Sequence, residues 1–145
     1  MNASCFDFAT SDAASSGVYL VAHDDLAPID AAASDAGWLV RRLELRACPD
    51  KDTLLRRIAT ALDIPYAWRN NWDALAFCLR DFSWLPARGY VFLFDHADDM
   101  RDAAKVDLNH LLDVFDEAGF AWSERGVPFW AFFAVAESAF DEMGD

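Results

Sequence analysis

Two groups of side chains in this 145-residue chain have types and spacings that could do chemistry. The first lies between Asn71 and Trp84. Wound at about 100° per residue, Asp73, Phe77, Arg80 and Asp81 gather on one side of a helix, joined by Trp84 if the helix reaches that far. Carboxylates presented this way can pair with guanidinium groups through two parallel hydrogen bonds. A large aromatic such as Phe77 among charges is not needed by a core and reads as a contact surface. The second group is Asp95-His96-Ala97-Asp98-Asp99, directly after an apolar run. Spaced carboxylates and a histidine beyond the end of a strand could hold a divalent cation. A polar loop that caps the following helix has the same composition. Without further ligands, no metal and no cofactor is assigned.

The remaining chemistry is thin. The chain has no Gly-x-Ser-x-Gly elbow, no glycine loop for phosphate and no His-Glu-x-x-His pair, so nothing assembles an enzyme. His23 and His110 are isolated in sequence and are expected to face solvent. Cys5, Cys48 and Cys78 are odd in number and far apart, which indicates neither a disulfide framework nor a zinc site. Lys and Arg total 12 against 25 Asp and Glu, a formal charge of −13. That balance repels a phosphate backbone, so direct nucleic-acid binding is not expected. It attracts basic partners and speeds association with them, and it also serves solubility. No leader-like start and no stretch of about eighteen apolar residues is present, so a cytoplasmic protein without membrane contact is expected.

The elements that must position these residues follow from hydrophobic periodicity. Residues 1–17 read as a loosely ordered arm, and 18–37 as an extension packed on the domain. Val18–Ala22 is a short β-type run, and Asp25–Ala36 a weak helical pattern that tolerates Pro28 in its first turn. Trp38–Ala47 alternates, with Leu43, Leu45 and Ala47 opposed to Arg42, Glu44 and Arg46, as an edge strand with one wet face does. Asp50 or Asp52 can cap a helix carrying the stripe Leu54, Leu55, Ile58, Ala61 and Leu62, which Pro65 should end. Asn71 is placed to cap the next helix. Its apolar side is Trp72, Leu75, Ala76, Leu79 and Phe82, with Cys78 a small packing residue between the faces. Tyr90–Phe94 and Pro128–Val135 are unbroken apolar runs, typical of strands buried on both faces. Between them, Arg101–Gly119 is helical, with Asn109, Asp113, Asp116 and Glu117 on its outer side. Residues 137–145 form an acidic tail. Alternating strands and helices predict an α/β fold in three layers: a parallel sheet of three strands, or four with Val18–Ala22, flanked by helices.

Three short runs carry a resemblance. Leu62-Asp-Ile-Pro65, Asn71-Trp-Asp-Ala-Leu75 and Cys78-Leu-Arg-Asp81 resemble the signature of the barstar family of intracellular ribonuclease inhibitors, with Asn71, Asp73, Ala74 and Leu75 carrying most of it. The likeness extends from about Leu39 to Val135, which implies a barstar-like domain over 38–136. It further implies that the loop 66–70 and the following helix enter the basic active-site cleft of a ribonuclease or related toxin. Asp73 matches a contact aspartate of the family, and Glu117 an acidic contact on the later helix. Three positions depart from the pattern. Phe77 stands where the main acidic contact is expected, Ala67 where an aromatic loop contact is expected, and Arg69 where a loop glycine is expected.

The resemblance implies a stoichiometric, immunity-type inhibitor, with Asp73 and Glu117 pairing with basic groups and Phe77, Trp68 and Asp81 forming the surrounding surface. Asp73 is also what the positive end of a helix dipole favours in a first turn, whatever its partner. Trp68, Phe77 and Trp84 could equally anchor a different partner, as in an interaction module that kept the fold and lost the ribonuclease. Phe77 could also pack under the loop or beneath the extension.

Overall fold

The structure is a computed structural model that describes residues 16–48, 50–64 and 71–135, without the side chains of 101–103. Most of the expected N-terminal arm, Pro65 with the expected loop 66–70, and the expected acidic tail lie outside the described residues.

β1 (Gly17–Ala22) leads through a 3₁₀ turn (His23–Asp25) into α1 (Leu26–Asp35) and β2 (Leu39–Glu44). There follow α2 (Lys51–Ala61), α3 (Trp72–Asp81), β3 (Tyr90–Asp95), α4 (Ala97–Ala103), α5 (Lys105–Glu124) and β4 (Phe129–Val135). The strands form one parallel sheet in the order β1-β4-β3-β2, so Val18–Ala22 does belong to a fourth strand. β3 and β4 occupy the centre, where apolar side chains are needed on both faces; every residue from Tyr90 to Phe94 and from Phe129 to Val135 is buried.

Alternation along these two strands builds two cores. Val91, Leu93, Trp130, Phe132 and Ala134 point to one face, where α1 covers them with Leu26, Ile29 and Ala33. Tyr90, Phe92, Phe94, Phe129, Ala131 and Phe133 point to the other face, toward Leu54, Leu55 and Ile58 of α2, Leu75 and Leu79 of α3, and Leu111, Phe115 and Trp122 of α5. α1 also carries the chain from one edge strand to the other. This is the three-layer α/β architecture expected from the pattern. Arg41, Arg42 and Glu44 occupy the β2 edge, where charge discourages pairing with another sheet.

Helix ends are specified by polar side chains and by left-handed residues. Asp50 Oδ1 accepts from the Thr53 amide at 2.8 Å, which holds the Asp50 carboxyl below its ordinary range. Asn71 Oδ1 accepts from the Ala74 amide at 2.7 Å and opens α3.

In four places the local structure departs from the periodicity. α2 ends at Ala61, ahead of Pro65. Asp63 takes φ +53°, and the amides of Asp63 and Ile64 return to the carbonyls of Thr60 and Ala59, closing the helix without proline. Ala47 sits in a turn at φ +52° rather than in β2. The Arg57 guanidinium donates to the Glu44, Arg46 and Ala47 carbonyls at 2.8, 2.8 and 3.1 Å and holds the chain there. The helix expected from Arg101 to Gly119 is two helices, broken at Ala104 (φ −150°, ψ 60°), and the second continues to Glu124. The break lets Ala97 and Met100 reach the same core as Leu108, a tertiary demand that no local breaker residue signals. Trp84 does not continue the α3 surface. The helix stops at Asp81, Phe82 takes φ +44°, and the Trp84 indole turns inward to donate to the Leu62 carbonyl at 3.0 Å.

Gly119 lets α5 approach the first strand closely. A Cβ there would lie 3.2 Å from the Gly17 nitrogen and 3.3 Å from its Cα, tighter than ordinary packing. Gly119→Leu is therefore expected to displace β1, seen as faster hydrogen exchange at the β1–β4 amides while those between β2 and β3 keep their protection. Asn71→Ala is expected to cost about 1 kcal/mol of stability in denaturant titrations, since it frees the first-turn amides of α3.

Candidate functional site

α3 and α5 lie side by side on one face of the sheet. At one end the Trp72 ring stacks on His110 with centroids 4.7 Å apart. At the other, the Trp122 indole donates to the Leu79 carbonyl and the Arg125 guanidinium to the Arg80 carbonyl, both at 2.6 Å. Arg125 also sits 4.4 Å over the Trp122 ring, a cation–π contact that steadies the pair. Leu75, Leu79 and Phe82 fix the rotation of α3, and Leu111, Phe115 and Trp122 that of α5. Helical geometry then dictates what is left outside.

On α3 that outer set is Asp73 and Arg80, both exposed, with Phe77 at 61% exposure. Asp81 is half-buried and accepts from the Ser83 hydroxyl at 2.9 Å. On α5, Glu117 is exposed together with Asp113 and Asp116. Among the described residues Asp73 and Glu117 enter no ion pair, so their carboxylates are open to an outside cation. Among the described residues of the extension, none packs over Phe77. β1 adds to the edge at β4, and α1 covers the opposite face of the sheet. Trp68, Arg69 and Ala67 lie outside the described residues.

Sequence reasoning missed Phe120, 67% exposed, and Val106, 78% exposed, both on α5. Extending the helical pattern through Glu124 places Phe120 on the side of Asn109, Asp113 and Asp116, and that signal was available. His110 is exposed as expected, but it backs the Trp72 ring.

The second group is rearranged more deeply. His23 is exposed but not isolated, because its Nδ1 lies 2.8 Å from Asp95 Oδ1. The Asp95 carboxylate accepts that proton and draws the His23 pKa upward. His96, in the left-handed region at φ +59°, places Nδ1 2.6 Å from Glu44 Oε2 and 3.5 Å from Asp95 Oδ1. Asp98 and Asp99 stay in the first turn of α4, apart from this cluster.

Comparison with known proteins places the architecture. A solved structure of the ORC2 protein of Aeropyrum pernix, in ADPNP–ADP complexes, is similar with a TM-score of 0.58 at 18% identity. The match covers 89% of this chain but only 37% of that one, and at this identity it is a likeness of fold alone. No curated protein sequence matches. No helix among the described residues is long and apolar enough to cross a membrane. The family model described as Barstar (barnase inhibitor) matches residues 38–134, from the residue before β2 to the penultimate residue of β4. With two thirds of its length matched, including α3, α5 and the two central strands, the chain belongs to the barstar family.

Proposed function

We propose that this protein is a stoichiometric inhibitor of a basic ribonuclease or related toxin, an immunity-type partner that acts by covering the active-site cleft. The observation that carries this reading is the exposed α3–α5 surface, with Asp73 and Glu117 in no ion pair among the described residues, on adjacent helices of a family whose members inhibit rather than catalyse. Both carboxylates project from helices locked to the sheet, so little ordering entropy is lost when they meet guanidinium or ammonium groups. The formal charge of −13 draws a basic protein toward this side and raises the association rate at low salt. Asp81 borders the surface, and Ala67, Trp68 and Arg69 belong to the segment that precedes α3 in the chain. Such an inhibitor would work in the cytoplasm, against a protein target, with no cofactor and no direct contact to nucleic acid or membrane.

Phe77 favours a second reading. A ring that is 61% exposed stands at the place where the family presents its main carboxylate, so this helix contributes apolar area where charge is expected. On that reading the fold serves as an interaction module whose partner fills an apolar pocket with Phe77.

The two readings separate in one experiment. Basic secreted ribonucleases are titrated by calorimetry with wild type, Asp73→Ala and Phe77→Ala at two salt concentrations. The inhibitor reading expects Asp73→Ala to cost about 2–5 kcal/mol of binding, as truncating one partner of a desolvated charge pair does. Wild-type affinity should also fall with salt. Binding that ignores Asp73→Ala and salt, but weakens by more than about 1 kcal/mol with Phe77→Ala, selects the interaction module.

A further inference from the structure

The cluster at the carboxyl ends of the strands lies apart from the α3–α5 surface and is built from three separate stretches of chain. Glu44 is the last residue of β2, Asp95 the last of β3, and His23 opens the turn after β1. His23 therefore reaches Asp95 across the end of β4, which lies between β1 and β3 in the sheet. One donor atom each from His23, Asp95 and His96 falls within a group whose members are all within 4.8 Å of one another. Glu44 lies outside that group, although its Oε2 is 2.6 Å from His96 Nδ1. Zinc bonds to nitrogen of about 2.0 Å, arranged tetrahedrally, set ligand atoms roughly 3.3 Å apart. The separations of 2.8 Å from His23 Nδ1 to Asp95 Oδ1 and 3.5 Å from Asp95 Oδ1 to His96 Nδ1 already bracket that value. Asp95, whose side chain is only 13% exposed, is the carboxylate common to both imidazoles.

We propose that His23, Asp95 and His96 form a site for a divalent transition metal, completed by the segment that precedes the barstar-matched region. Two imidazoles with one carboxylate suit zinc-like ions and not magnesium or calcium, which take oxygen ligands almost entirely. Without metal the same groups satisfy one another. The Arg46 guanidinium donates to His96 Nε2 at 2.8 Å, which leaves the proton on Nδ1, where it is donated to Glu44. Binding metal through Nδ1 moves that proton to Nε2 and displaces Arg46, whose exposed side chain can swing away. Arg46 thus opposes the metal-bound tautomer. The bound ion would clamp the end of β1 to the end of β3, tying the N-terminal strand to the sheet.

The test is a Zn²⁺ titration of the full chain by calorimetry, paired with thermal melts. One site per chain is expected, unaffected by excess Mg²⁺, with a rise in Tm on adding Zn²⁺. His23→Ala and His96→Asn should each weaken binding by at least about tenfold, the lower end of what even an outer-sphere partner contributes. Asparagine is used at 96 because it takes the left-handed backbone at less cost than alanine does. Arg46→Ala should tighten Zn²⁺ binding, whereas a purely structural hydrogen-bond chain would only lose stability. Absence of Zn²⁺ binding, or binding that both histidine substitutions leave unchanged, overturns the proposal. Weaker binding in Arg46→Ala would overturn the part assigned to His96 Nδ1.

Discussion

The packing of Phe82 holds the outer face of α3 in place. Its ring stacks at 4.8 Å on Tyr90 and at 5.9 Å on Phe92, and meets the edge of Trp84 at 5.5 Å. Trp122 and Phe129 complete the surround at 6.2 and 6.4 Å. One side chain therefore joins the end of α3 to both central strands and to α5. Burying a phenylalanine is worth about 1.5–3 kcal/mol, with roughly 0.5–1.5 kcal/mol more for each well-oriented aromatic pair. That gain outweighs the cost of a non-glycine residue at φ +44°, about 1–3 kcal/mol. The left-handed turn is what ends α3 at Asp81 and redirects the chain so that Trp84 packs inward.

With its C-terminus anchored there and its N-terminus capped by Asn71, α3 has no rotational freedom. Asp73 and Phe77 consequently face outward as a result of core packing, and no contact of their own is needed to hold them there. The same argument applies to Glu117, which is set by Leu111, Phe115 and Trp122 beneath it. A surface prepared in this way can meet a folded partner as a rigid body. Its selectivity would then be decided by the few side chains it presents, Phe77 among them.

Much of the fold was legible in the sequence because burial on two faces leaves an unmistakable record. Tyr90–Phe94 and Phe129–Val135 permit no polar residue, and the stripe Leu75, Leu79, Phe82 fixes the α3 orientation by periodicity alone. What escaped were features set by distant contacts. The turn at Ala47 depends on Arg57, the break at Ala104 on a shared core, and the inward Trp84 on the Leu62 carbonyl; none of these partners is a sequence neighbour. The outer face of α3 followed from the helical wheel, whereas Phe120 fell beyond the predicted end of α5. The meeting of His23 with Asp95 was invisible for a simpler reason. It depends on strand order, since only a sheet with β1 at one edge of β4 and β3 at the other brings those two residues together.

The central claim is that the outer side of α3 and α5 is the surface that meets a basic protein. Amide hydrogen exchange of the free chain and of its complex with a bound ribonuclease tests this directly. The account predicts added protection confined to α3 around Asp73–Arg80 and to α5 around Asp113–Phe120. Protection that appears instead on α1 or along the β2 edge, with α3 and α5 exchanging as in the free chain, would contradict it.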